Sequence, residues 1–163
     1  MATAADCIRK TVVLDAPVER VWRAIGDSAQ FGAWFGARFD GSFVEGRDLE
    51  ARIVPTTVDP VVAKLQEPHA GTRFVVHVVR VEPERLLSFR WHPFGAHEPG
   101  DPAPPSTLVE FVLEAVSGGT RLTVTESGFE GIPLERRAAA FEANDQGWAH
   151  QMRLITTYVA TTA

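Results

Sequence analysis

Cysteine occurs once, at Cys7, so no intramolecular disulfide can form and no thiolate cluster is available for zinc or iron–sulfur. That usage fits a reducing compartment. The opening residues MATAADCIRK lack the apolar segment of a secretory signal, and no apolar run approaches the ~18 residues of a membrane span. A soluble cytoplasmic protein is expected, without membrane insertion. The histidines, His69, His77, His92, His97 and His150, include no pair at zinc-ligand helix spacing and none beside a cysteine ligand. The sequence also has no G-x-S-x-G elbow, no phosphate-binding P-loop and no G-x-G-x-x-G opening a helix. Covalent acyl transfer, nucleotide hydrolysis and dinucleotide redox chemistry therefore lack their usual parts. Cys7 has no evident base or cation to activate it as a nucleophile. Neither a metal nor a cofactor is expected, and no catalytic residue is assigned. Basic runs are missing as well: 16 Lys and Arg stand against 21 Asp and Glu, a net charge of −5 that argues against a nucleic-acid partner.

What is present is core material. With 163 residues, 45% hydrophobic and 23% charged, the chain is expected to form one domain spanning 1–163, its core at about 7–160. Alternation and β-branched residues predict a first strand from Cys7 to Leu14. Pro17 then suits the first turn of a helix whose apolar positions are Val18, Val21, Trp22 and Ile25. Ser28 is expected to cap a second short helix carrying Phe31, Trp34 and Phe35, with Gly36 beyond its end.

Strands are predicted at Ala37 to Phe43, Leu49 to Val54, Phe74 to Val81, Leu86 to His92, Thr107 to Val116 and Gly119 to Glu126. Their short turns favour an antiparallel meander. The stretch from Pro55 to Gly71 is ambiguous, and Val61-Val62-Ala63 could extend a strand. His92 to Ser106 reads as a Pro/Gly-rich loop, either simply solvated or a lid over a cavity mouth. After Pro133 comes a long amphipathic helix with a stripe at Leu134, Ala138, Phe141, Asp145, Trp148, Met152, Ile155 and Val159.

One helix stripe must be buried on one sheet face, which gives a two-layer α+β domain. A curved sheet around such a helix often leaves an apolar gap. The aromatic residues could all fill the core, or a few could face such a gap. Strand alternation turns Glu126 inward with Leu122 and Val124, and helical spacing puts Asp145 in the stripe with Asn144 at its edge. A buried carboxylate needs a cation such as Arg90, a hydrogen-bonding partner, or water at a cavity mouth. A structural ion pair would satisfy it equally.

The run Asp15-Ala16-Pro17-Val18-Glu19-Arg20-Val21-Trp22, then Phe31 with Trp34-Phe35, then Val81-Glu82-Pro83-Glu84-Arg85-Leu86-Leu87-Ser88-Phe89-Arg90-Trp91, resembles the START-like, helix-grip superfamily. Thr123 to Phe129 and Gly147-Trp148 extend the likeness, which is nearest the activator-of-heat-shock-protein-90-ATPase-homologue-like branch. The resemblance implies a curved antiparallel sheet of six to seven strands wrapped round a long C-terminal helix, with two short helices after the first strand. It also implies a cavity that often takes apolar or aromatic small molecules. Relatives include lipid and hormone carriers, aromatic polyketide cyclases and a co-chaperone. The co-chaperone carries a separate N-terminal domain that the sequence does not show, so chaperone activation is not carried over.

Three functions stay open: a binding protein for a hydrophobic or aromatic small molecule, a cyclase- or hydrolase-like enzyme using Glu126 or Asp145, and a stress-related interaction module with a chaperone partner. A homodimer is also left open. The residues expected around the ligand are Trp34, Phe39, Phe74, Phe89, Trp91, Phe111, Glu126, Phe129, Phe141, Asn144, Asp145, Trp148 and Met152.

Overall fold

The computed structural model describes residues 7–93 and 104–161. Seven strands form one antiparallel sheet: β1 (Cys7–Leu14), β2 (Ala37–Phe39), β3 (Asp48–Ile53), β4 (Arg73–Glu82), β5 (Leu86–Trp91), β6 (Thr107–Val116) and β7 (Gly119–Ser127). Strands β2 to β7 run as a meander, and β1 returns to pair with β7, giving the order β1-β7-β6-β5-β4-β3-β2. Alternation decides which side faces inward. Val109, Phe111 and Leu113 of β6, with Leu122, Val124 and Glu126 of β7, all point inward and are buried. A register shift between Val78 and Arg80 interrupts the β4–β5 pairing, the kind of bulge that bends a strand.

Three helices precede the last one: α1 (Val18–Gly26), α2 (Ser28–Phe35) and α3 (Pro60–Gln66). The fourth, α4 (Leu134–Thr161), has 28 residues and is about 42 Å long. It packs on the concave side of the sheet through Trp148, Met152, Ile155 and Val159, all buried. No helix among the described residues is long and apolar enough to cross a membrane.

Four local expectations are corrected. Asp27, not Ser28, caps α2, accepting from the Ala29 N–H at 2.9 Å and the Gln30 N–H at 3.2 Å. The Ser28 hydroxyl instead donates to the Gly41 carbonyl at 2.6 Å. Val61-Val62-Ala63 is helical, because Asp59 accepts from the Val61 and Val62 N–H groups and Pro60 occupies the first turn. Strand β2 ends at Phe39 rather than Phe43, although Phe43 still turns into the core. Finally, the α4 stripe fails at its start: Leu134 is 75% exposed, and Ala140, absent from the expected stripe, is buried. The lid expectation for 92–106 falls largely on 94–103, outside the described residues.

Candidate functional site

Glu126 is completely buried, and the side chains that meet it come from three other elements. On β7 it stands opposite Val109, so Thr107, two residues earlier on β6, is its diagonal neighbour on the same face. Thr107 in turn pairs with Trp91 on β5. From the other layer, Asn144 and Trp148 lie one turn apart on α4 and so share a face. All four side chains aim donors at the carboxylate. Trp148 Nε1 donates to Oε1 at 2.8 Å and Trp91 Nε1 to Oε2 at 2.9 Å. Thr107 Oγ1 donates to Oε2 at 2.5 Å, and Asn144 Nδ2 reaches both oxygens at 2.8 and 3.1 Å.

The chemistry of this set is one-sided. An indole N–H can only donate, and a carboxylate can only accept, so the two tryptophans match an ionised Glu126. No Lys or Arg pairs with it among the described residues. Hydrogen bonds to charged groups contribute roughly 1.5–3 kcal/mol each, which offsets a desolvation cost of several kcal/mol. The two indoles also stack, with centroids 5.8 Å apart and planes at 28°. The carboxylate therefore fixes the position of both rings.

Beside the Trp91 ring lies a cavity of about 180 Å³. Phe35, Ile53, Phe74 and Trp91 give it apolar walls, and Gln66, His92, Asn144 and Gln151 add polar groups. A smaller space of about 80 Å³ adjoins it, sharing Phe35, Trp91, Asn144 and Gln151 and reaching Gly147 and Trp148. Gly36 closes α2 at φ 97°, in the left-handed region that favours glycine, and a β-carbon there would come within 2.5 Å of the Gln66 amide and displace it.

Two glutamine amides converge at that corner. Gln66 Nε2 and Gln151 Nε2 both donate to the Phe35 carbonyl, at 3.0 and 2.9 Å. Gln66 Oε1 accepts from the Thr56 N–H at 2.8 Å, whereas Gln151 Oε1 is buried without a partner among the described residues. His92 Nδ1 lies 2.9 Å from the Pro105 carbonyl, which can only accept, so the proton sits on that nitrogen.

Of the residues expected from sequence, Phe74, Trp91 and Asn144 line the larger cavity, Trp148 lines the smaller one, and Glu126 sits behind them. Phe39 flanks Phe74 at 6.1 Å but does not line either space. Trp34, Phe89 and Phe111 are core, packed around the ring of Phe31 at 4.7, 6.4 and 5.5 Å. Phe129 and Phe141 pack on each other at 5.1 Å near the start of α4.

Asp145 and Met152 stand on a different side of α4 because one residue turns the helix by about 100° away from Asn144. Asp145 pairs with Lys10 of β1 at 2.9 Å, and Met152 borders an open groove beside β1. Arg90, suggested as the partner of Glu126, is exposed because alternation puts it on the opposite face from Trp91. Sequence reasoning missed Phe35, Ile53, Gln66, His92, Thr107 and Gln151. For Gln151 a signal existed, since Asn144, Trp148 and Gln151 follow i, i+4, i+7 spacing.

The family model described as activator of Hsp90 ATPase homolog 1-like protein matches residues 15–160. Comparison with curated proteins gives no match. Among solved structures, DynU16, a protein in the dynemicin biosynthetic locus, is 25% identical with a TM-score of 0.69, covering 96% of this chain. This chain spans only 48% of DynU16's length. A protein from Mesorhizobium loti is 22% identical with a TM-score of 0.71, covering 96% of this chain and 98% of that one. A protein from Arthrobacter aurescens is 20% identical with a TM-score of 0.71, covering 100% and 91%. The last two show a shared fold.

Proposed function

The chain belongs to the activator of Hsp90 ATPase homolog 1-like family, of START-like fold, and from that premise we propose that it binds a hydrophobic or aromatic small molecule in the Phe35–Phe74–Trp91 cavity. One observation carries this reading: an apolar recess of about 180 Å³ walled by Trp91, with an adjoining smaller space that reaches Trp148, the two indoles being stacked and held by one buried carboxylate. Fixed aromatic walls with a few polar groups at one side are what a small-molecule site needs. An engineered apolar cavity of about 150 Å³ holds benzene, so this space suits one substituted ring. DynU16's place in a biosynthetic locus is in keeping with a small-molecule ligand.

In this reading Glu126 is a positioning residue. It has no exposed surface, and its oxygens are occupied by Trp91, Thr107, Asn144 and Trp148, so it orients the wall instead of touching the ligand. The test is calorimetric titration with p-cresol of the wild type and of Ile53→Trp, which fills the recess from β3. Saturable binding lost in the folded variant supports the site. Equal binding in both places the ligand elsewhere, and none in either removes the proposal.

A further inference from the structure

The polar atoms around the cavity are biased toward acceptors. Asn144 commits its Nδ2 to Glu126, so the atom it has left to offer is the carbonyl Oδ1. Gln151 donates one Nε2 hydrogen to the Phe35 carbonyl, and its Oε1 is the sole buried side-chain oxygen without a partner among the described residues. Gln66 uses both ends of its amide within the protein. No Lys or Arg lines the cavity among the described residues, and the sequence of 94–103 contains neither. Directly behind Trp91 and Asn144 lies the Glu126 carboxylate, met by hydrogen-bond donors and not by a cation.

Resting on the small-molecule reading above, we propose that the cavity selects a neutral single-ring aromatic hydrogen-bond donor, a phenol, with Gln151 Oε1 accepting from its hydroxyl. Three features converge on that class. The volume admits one substituted ring. The unpartnered Gln151 oxygen is a buried acceptor whose desolvation is uncompensated until a donor arrives. An anionic ligand would find no Lys or Arg on the wall and a like charge close behind it. A phenol hydroxyl supplies the missing donor, its methyl ether does not, and a benzoate brings the disfavoured charge.

The experiment compares p-cresol, 4-methylanisole and 4-methylbenzoate by calorimetry at pH 7, with the wild type and with Gln151→Leu. The wild type should bind p-cresol about fivefold more tightly than the ether, the span of one neutral hydrogen bond. The benzoate should bind weakest. In Gln151→Leu the gap between phenol and ether should fall below about twofold while the ether keeps its affinity. Equal wild-type affinities for phenol and ether, or strongest binding by the benzoate, would overturn the donor selectivity and leave the small-molecule site standing. Failure of all three to bind the wild type would overturn both. The wild-type series decides the matter even if Gln151→Leu does not fold.

Discussion

Two aromatic clusters lie side by side in this protein, and they do different work. Around Phe31, the rings of Trp34, Phe35, Phe39, Phe43, Phe89 and Phe111 meet at 4.7–6.4 Å, mostly edge to face. Trp34 Nε1, the indole donor of that cluster, is spent on the Ala24 carbonyl at 2.8 Å. Around Glu126, two further indoles are held by one carboxylate, and empty space begins beside them. Phe35 belongs to both clusters, touching Phe31 at 5.1 Å and Trp91 and Trp148 at 6.1 Å each. Aromatic content therefore does not separate core from site here. The separation comes from the polar group that fixes the rings and stops them collapsing into the adjoining space.

The sharpest contrast is in stability. Phe31→Ala should cost about 3–5 kcal/mol, read by chemical denaturation, because a fully buried ring with six aromatic neighbours leaves a large void. A loss under about 1 kcal/mol would mean the first cluster is looser than described.

Glu126→Gln should cost about 1–3 kcal/mol, since an amide N–H₂ would replace one acceptor among groups that mostly donate. Unchanged stability would erase the distinction between the clusters by showing that the carboxylate is dispensable. The variant should also disturb the Trp91 and Trp148 indole resonances while sparing Trp34.

Lys10→Ala removes a partly exposed pair with Asp145, whose side chains are 29% and 42% exposed, and should change stability by only about 0.2–1 kcal/mol. A larger effect would give the β1 side of α4 a structural weight comparable to the Glu126 cluster.

The smallest effect belongs to Glu82 at the β4–β5 turn. Its carboxyl is held below the ordinary value of 4.5, first by the hydrogen bond from Arg85 and further by the charges of Arg80 and Arg85. A depressed carboxyl stabilises above its unfolded value, and that contribution is lost as pH falls through its folded value. Glu82→Gln should therefore lack the part of the wild type's stability loss that sets in below about pH 4.5, so that the two curves converge in acid. Because the pair is at the surface, wild-type and variant midpoints should nearly coincide at pH 7.

Elements with a strong period were legible. The alternation of β1 and β6 gave their bounds as found, Cys7–Leu14 and Thr107–Val116. Helix α3 was obscured because three prolines and Val61-Val62 suggested extended chain, although Asp59-Pro60 is a helix start. The stripe of α4 misleads at Leu134 because periodicity shows a helix face but not where the sheet beneath it ends. For the site, alternation turned Glu126 inward, yet its partners lie 18–35 positions away on three other elements. Strand register and helix placement bring them together, and neither is encoded in local spacing. Arg90 was the wrong partner for a readable reason, since Trp91 facing inward turns Arg90 outward.

The most direct measurement uses the four tryptophans, each with one indole N–H, in a nitrogen–proton correlation spectrum during titration with p-cresol. Trp91 lines the cavity and Trp148 the smaller space that adjoins it, Trp34 is sealed in the other cluster, and Trp22 lies on α1. The Trp91 and Trp148 signals should shift together and saturate, with Trp34 and Trp22 unmoved. No saturable shift at Trp91 and Trp148, or equal shifts at all four, would contradict a ligand site built on the Glu126-held indoles.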